Sequence, residues 1–157
     1  MRRALTYIVV ATAFCLPSSS ADRKSWSQIR YIGGTVQIKT SRYDWNTTLT
    51  ATADSIEVEI APATVFAAKK TVRIKPSQVV SLSTNDAAWQ RVAAVDGAQL
   101  PAKHPKLFGV LADFDSIGMV YEGDDGKRGA MLLESNFSKI ILHVLASLSG
   151  KAVEYSP

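Results

Sequence analysis

Cysteine and histidine are scarce in this sequence, which limits the catalytic and metal-binding sites that the protein can form. The only cysteine is Cys15, inside an apolar N-terminal run, and the only histidines are His104 and His143. If residues 1–21 are removed as a signal peptide, the mature chain has no disulfide, thiol nucleophile or thiolate metal ligand. The chain also lacks Gly-x-Ser-x-Gly elbows, His-Glu-x-x-His pairs and glycine-rich phosphate loops. We therefore expect no metal and no cofactor, and binding is favoured over catalysis.

One catalytic hypothesis survives, a small hydrolase built on Asp113 or Asp115 with His104. A functional histidine needs an orienting partner, and neither histidine has an obvious one in the sequence. Both are interpreted as surface residues. A calcium loop starting at Asp113 is disfavoured, because Ile117 stands where an EF-hand loop places an oxygen ligand.

The N-terminus predicts export. Two arginines precede the apolar run from Ala4 to Leu16, and small residues lead up to Ala21, which is the pattern of a secretory signal peptide cleaved after Ala21. A spanning helix needs about 20 apolar residues, so this run is short for an anchor, although a retained short anchor stays as an alternative. A lipoprotein signal at Cys15 is disfavoured by the bulky Phe14 beside it. We expect a periplasmic or extracellular location.

The length of the chain predicts a single domain, and its charge balance argues against nucleic-acid binding. The chain has 18 basic and 14 acidic residues, and Arg2 and Arg3 belong to the signal, which leaves 16 basic residues against 14 acidic ones. Nucleic-acid binding needs a concentrated basic surface, which this nearly balanced chain lacks. Residues 22–157 have the common length of a single domain.

Alternation with period two predicts several strands separated by turns. Ile32, Val36 and Ile38 are expected to share one face of a first strand that is bent at Gly33 and Gly34. Further strands are predicted at 48–53, 56–60, 72–75, 79–82, 116–122 and 128–134. The strands at 48–53 and 56–60 are predicted to form a hairpin, and those at 116–122 and 128–134 another, with its turn at 124–126.

Charge alternation in the strand at 72–75 indicates its neighbour. If this strand lies beside the strand at 56–60, Arg73 and Lys75 face Glu57 and Glu59 across the sheet.

A helix is predicted from Asn136 to Ser149, with Ser135 or Asn136 as its N-cap and Gly150 as its stop. One helical face carries Phe137, Ile140, Ile141, Val144, Leu145 and Leu148. By contrast, the region Thr84 to Phe108 is predicted to be a long loop with a short element, strand or helix, at Trp89 to Val95.

Three segments resemble the pleckstrin-homology and GRAM-like superfamily. They are Arg30 to Gly34, Val72 to Val80, and Ile117 to Leu133 followed by the helix and Gly150-Lys151. The resemblance implies a mainly β, α+β fold: a small antiparallel β-barrel or two-sheet sandwich capped by one C-terminal α-helix. It also implies a habit of binding lipid headgroups or proteins.

In lipid-binding members of that superfamily, basic residues in the first hairpin loop hold phosphates. The matching residues here are Lys39 and Arg42, with Tyr43 and Trp45 beside them to meet an interface. An ordinary solvated turn is the favoured alternative.

A second candidate surface is the apolar stretch from Ala61 to Ala68, which offers Val65 and Phe66 ahead of Lys69 and Lys70. We expect it to cover the open end of a barrel, with docking of a partner as the alternative.

Together these patterns predict an exported, non-catalytic binding or scaffolding module. Its partner is an unknown protein or an anionic lipid surface. Peripheral attachment to anionic membrane through Lys39, Arg42, Lys69 and Lys70 is the first alternative, and the Asp/His hydrolase is the second.

Overall fold

The computed structural model describes residues 22–41, 43–102 and 114–155. These residues form a mainly β, α+β fold of eight strands and two α-helices, so the predicted fold class is confirmed at this level. The strands are β1 Lys24–Gly34, β2 Thr47–Ala51, β3 Ile56–Ile60, β4 Lys70–Ile74, β5 Val79–Thr84, β6 Ser116–Glu122, β7 Arg128–Ser135 and β8 Val153–Glu154; the helices are α1 Asn85–Ala93 and α2 Ser138–Ser149, and a 3₁₀ turn spans Pro76–Gln78.

The strands form one sheet in the order β4-β3-β2-β1-β7-β6-β5-β8, antiparallel except where β8 runs parallel to β5. The expected barrel or two-sheet sandwich is wrong in this respect, because the sheet is continuous and is not closed. Strand β1 pairs with β2 from Lys24 to Ile29 and with β7 from Ile29 to Gly34, so both halves belong to one sheet, whose edge strands β4 and β8 do not pair with each other. Two antiparallel meanders are thereby joined edge to edge.

Two helices pack against the sheet, where one was predicted. Helix α2 lies over the larger core, which contains Ile29, Leu49, Val58, Leu133 and Leu145. Helix α1 covers a smaller core on β6 and β7 with Ala88 and Val92. The sequence predicted a long loop with a short strand or helix at Trp89 to Val95, and the element is the helix α1, which starts earlier; its signal is weak because only Ala88 and Val92 are buried. Residues 103–108 of that predicted loop lie outside the described residues.

The predicted strands at β2, β3, β6 and β7 are confirmed. The Thr52–Ser55 turn is closed by a 2.9 Å bond from the Thr52 amide to the Ser55 carbonyl. At the β6–β7 turn, Gly126 has a φ of +75°, a backbone conformation that glycine adopts without strain.

Strand β1 differs from its predicted pattern. Ile29 and Tyr31 face the larger core, and Ile32 packs against the smaller core, whereas Val36 and Ile38 follow the strand and pack against the larger one. A register shift between Tyr31 and Gly33 breaks the alternation, so the expectation that Ile32, Val36 and Ile38 share a face is wrong.

The predicted pairing of β4 with β3 is correct for one ion pair. The Arg73 Nε lies 2.8 Å from the Glu57 Oε2. The register places Thr71 opposite Glu59, so Glu59 binds Lys69 instead, and Lys75 lies 3.7 Å from Asp124. The expected contact of Lys75 with the β3 glutamates is therefore wrong.

Helix α2 is shorter and rotated compared with its prediction. It begins at Ser138, after the Ser135 hydroxyl accepts a 3.1 Å bond from the Phe137 amide, and Gly150 ends it in the left-handed conformation. Leu142 is buried and Ile140 is 56% exposed, and the helix also contacts the 3₁₀ turn before β5. The predicted face is thus wrong at Ile140, and also at Phe137, which is exposed and precedes the helix.

Two adjacent isoleucines test this orientation. Replacing the buried Ile141 with alanine should cost about 2–5 kcal/mol of unfolding free energy, because it leaves a cavity in the core. The same substitution at Ile140 should change stability by no more than about 0.5 kcal/mol. Urea denaturation of both variants measures the difference. Equal losses would contradict the described rotation of α2.

Candidate functional site

The two candidate loops of the sequence lie side by side. The β1–β2 loop (35–46) and the β3–β4 loop (61–69) are joined by bonds from the Ala63 amide to the Lys39 carbonyl, 2.9 Å, and from the Ala61 amide to the Asn46 carbonyl, 2.7 Å. The exposed side chains of these loops, with Lys70 at the start of β4, are here called the tip surface. They include Lys39, Tyr43, Val65, Phe66, Lys69 and Lys70. Arg42 lies outside the described residues.

Buried polar groups hold the β1–β2 loop in place. The Asn46 Oδ1 accepts bonds from the Tyr31 amide, 2.9 Å, and the Thr47 hydroxyl, 2.8 Å, and the Asn46 Nδ2 donates to the Ser41 carbonyl, 2.9 Å. The Tyr31 hydroxyl donates to the Val36 carbonyl, 2.9 Å. Because Asn46 and Tyr31 belong to the sheet or its margin, the loop is anchored at both ends.

The β3–β4 loop presents its apolar residues to solvent. A 3.2 Å bond from the Ala67 amide to the Thr64 carbonyl closes a turn with Val65 and Phe66 at its centre, where they are 93% and 98% exposed. The expectation that they cover the core is therefore wrong. The bonds at Ala61 and Ala63 hold only the base of the loop, so the central pair of the turn projects outward.

Charges at the base of the tip surface are mixed. Lys39, Lys69 and Lys70 are exposed, and the Lys69 Nζ lies 2.7 Å from the Glu59 Oε1. Asp44 is exposed on the neighbouring loop. An exposed ion pair contributes about 0–1 kcal/mol, so Lys69 can exchange Glu59 for another anion at small cost.

Trp45, which is 39% exposed, differs from the other tip candidates because its ring packs against Arg30 and Phe114. Its ring lies 4.3 Å from the Arg30 guanidinium carbon and 5.3 Å, edge to face, from the ring of Phe114. Within the described parts of the chain, the buried Arg30 Nε has no hydrogen-bond partner, and the two aromatic faces beside the guanidinium provide cation–π attraction instead. Sequence reasoning missed this cluster, although the inward-facing Ile29 and Tyr31 indicate that Arg30 points to the other side of β1.

The hydrolase candidates are only partly described. His104 and Asp113 lie outside the described residues. The carboxylate of Asp115 accepts a 3.3 Å bond from the Ser138 hydroxyl at the start of α2. Asp115 and the exposed His143 also line an open groove of about 490 Å³, together with Lys139 and Tyr155. Among residues 22–41, 43–102 and 114–155, no group of three His, Cys, Asp or Glu side chains is placed to hold a metal ion.

Comparison with known proteins gives no assignment. No protein-family model matches the chain, and no curated protein matches its sequence. Within the described ranges, no helix combines the length and apolar character required to cross a membrane. The candidate function therefore depends on the geometry of the tip surface.

Asn46 offers a test of the loop anchor. Asn46→Ala should reduce the unfolding free energy by about 1–3 kcal/mol, because it leaves the buried Tyr31 amide without its acceptor. Asn136→Ala, at an exposed asparagine, is the matched control and should stay within about 0.5 kcal/mol of the wild type. Chemical denaturation compares them. A loss no larger at Asn46 than at Asn136 would refute the anchoring role.

Tyr31 and Tyr121 predict a loss of stability at alkaline pH. Burial raises the pKa of both phenols above the ordinary value of 10.0. The folded protein therefore keeps protons that the unfolded chain releases, so the free energy of unfolding should fall as the pH rises above about 10. Denaturant unfolding followed at several pH values, with tyrosinate absorbance, measures this decline.

Phenylalanine variants assign the alkaline decline to particular residues. Tyr121→Phe should make the decline shallower, whereas Tyr43→Phe, at an exposed tyrosine, should leave its slope unchanged. Identical slopes in the two variants would show that Tyr121 does not contribute.

Proposed function

We propose that the protein is an exported, non-catalytic binding or scaffolding module that contacts its partner through the tip surface. The observation that carries this proposal is the almost complete exposure of Val65 and Phe66 at the centre of one turn. Turns are usually built from Gly, Pro, Asn, Asp and Ser, whose conformations or side-chain bonds suit the reversal. Valine and phenylalanine are unusual turn residues, and at this position they are available for an apolar contact with a binding partner.

Burial of the pair provides the binding free energy. Full burial of a valine or phenylalanine side chain contributes about 1.5–3 kcal/mol each. The loop base is already fixed by its bonds to Lys39 and Asn46, so binding pays little to order it. Exposed Tyr43 on the adjoining loop enlarges the contact area.

For the fold, the proposal includes membership of the pleckstrin-homology or GRAM-like group. Two features support it: a four-strand meander β1–β4 followed by a three-strand meander β5–β7, and helix α2 after the last meander, packed over the larger core. Helix α1, strand β8 and the unclosed sheet are departures from the expected plan.

The second candidate is attachment to an anionic membrane surface. Lys39, Lys69 and Lys70 lie near the apolar turn and support it, since a basic residue close to such a surface contributes about 1 kcal/mol. Glu59 and Asp44 oppose this attraction. Electrostatic binding of this kind weakens as the salt concentration rises.

The test places a photo-reactive benzophenone amino acid at Ala67, beside the apolar pair, and irradiates cells that produce the full-length protein. We expect one cross-linked protein, whose yield falls at least about tenfold in a Val65→Ser/Phe66→Ser background, because the contact loses its apolar centre. Tyr155→Ser, which removes an exposed aromatic elsewhere, is the control and should leave the yield unchanged.

Other outcomes separate the hypotheses. Cross-links to lipid, together with salt-sensitive sedimentation on anionic vesicles that needs Val65 and Phe66, would favour the membrane candidate. An unchanged cross-linking pattern in the Val65→Ser/Phe66→Ser background would overturn the tip surface as the contact site. The thermal unfolding of all variants should match the wild type, since both replaced side chains are exposed.

A further inference from the structure

Strand β4 forms one edge of the eight-stranded sheet, and its outer side meets no other strand among the described residues. Its five residues pair with β3 in unbroken register from Ile56–Ile74 to Ile60–Lys70. Its outer backbone groups are therefore available for a further strand, because every second residue of an edge strand directs its amide and carbonyl outward. Lys70, Thr71 and Arg73 are exposed, and Val72 is half-buried.

The charge of this edge has one sign. Residues 69–75 contain four cations, Lys69, Lys70, Arg73 and Lys75, and no acidic residue. On the inner side, β3 supplies the complementary pattern, with isoleucine or valine alternating with Glu57 and Glu59. Glu57 lies opposite Arg73 in the register, and Glu59 lies opposite Thr71 and binds Lys69.

The two faces of β4 indicate which side chains an added strand would need on each of its own faces. On the core face, Val72 and Ile74 extend the apolar surface that Val58 and Ile56 begin. On the other face, Thr71 and Arg73 meet alternate residues of any neighbouring strand. The Arg73 side chain is 73% exposed in spite of its bond to Glu57, so a second carboxylate can approach it. Opposite charges across a strand pair stabilise the pairing.

Self-pairing is disfavoured by the same charges. An antiparallel pair of two β4 strands centred on Val72 would set Lys69 of each copy against Lys75 of the other. Like charges directly opposite each other destabilise a strand pair. Blocking a second copy is the usual role of lysine on an edge strand. The same charges would attract a strand that carries acidic residues.

We propose that the β4 edge binds an extended protein segment in which apolar residues alternate with acidic ones, adding it to the sheet as a ninth strand. This inference rests on the proposed binding function and names a partner class for the surface that follows the β3–β4 loop. The partner's backbone would bond to β4, its acidic residues would face Thr71 and Arg73, and its apolar residues would continue the core face.

The experiment uses the full-length protein and two short acetylated peptides, one alternating isoleucine with glutamate and the other alternating isoleucine with lysine. Fluorescence anisotropy of the labelled peptides should show at least about tenfold tighter binding of the glutamate peptide, since Arg73 and the flanking Lys69 and Lys75 attract glutamate side chains and repel lysine side chains. Amide hydrogen exchange should slow at residues 70–74 when that peptide is bound.

An exchanged ion pair provides the decisive variant. Glu57→Arg/Arg73→Glu keeps the pair between β3 and β4 and reverses the charge at the edge. The peptide preference should shrink or invert. The control is Arg91→Glu/Glu154→Arg, which exchanges a 2.6 Å ion pair at the opposite edge of the sheet and should leave the preference unchanged.

Three results would overturn the inference: binding of neither peptide, a preference that survives the exchange at Glu57 and Arg73, or binding without slower exchange at residues 70–74. The last would mean charge attraction only. Loss of peptide binding while the Ala67 cross-link persists would leave the proposed tip contact standing, so the two proposals fail separately.

Discussion

The pairing of β1 with two different strands is the constraint on which the rest of the structure depends. Its first half is bonded to β2 and its second half to β7, with Ile29 shared by both ladders. Register shifts on each side of Ile29 let a single strand serve both meanders, because a bulge bends the strand and increases its twist. The larger core then forms on one face of a continuous sheet, with α2 packed over it.

The same strand positions the candidate site. Tyr31 of β1 uses its amide to bind Asn46 and its hydroxyl to bind Val36, so the loop that leaves β1 is tied back to the strand from which it came. The carbonyls of Lys39 and Asn46 in that loop accept hydrogen bonds from the amides of Ala63 and Ala61. A buried polar network of this kind is rigid when every member is paired. The exposed turn therefore stands on a fixed base, which is the condition under which an apolar pair binds without a large entropic cost.

Much of this fold could be predicted from the sequence where a local pattern determines the outcome. The alternation in β2 and β3, the hairpin of β6 and β7, and the stop of α2 at Gly150 all depend on near neighbours. Other features depend on distant contacts: α1 is stabilised by the β6–β7 surface rather than by its own composition. The β1–β7 pairing, which joins the two meanders into one sheet, has no local sequence signal, since register between distant strands is set by packing.

The sequence indicated which residues belong to the candidate site, but it did not indicate how they are arranged in space. Nothing local to Trp45 distinguishes a tip aromatic from one that stacks on Arg30. Likewise, the exposure of Phe66 follows from the hydrogen bonds at the loop base and not from its own hydrophobicity.

An open sheet has two edge strands that could pair with other chains, and the two edges limit this pairing in different ways. Strand β8 is two residues long and leaves little backbone to template another strand, whereas β4 has five residues and relies on charge. Charge is selective, because it repels an identical strand and attracts a strand of opposite charge. A proline or a bulge would disrupt the pairing of either strand. The cations at 69–75 can therefore serve two purposes, because the same side chains repel an identical strand and attract an acidic one.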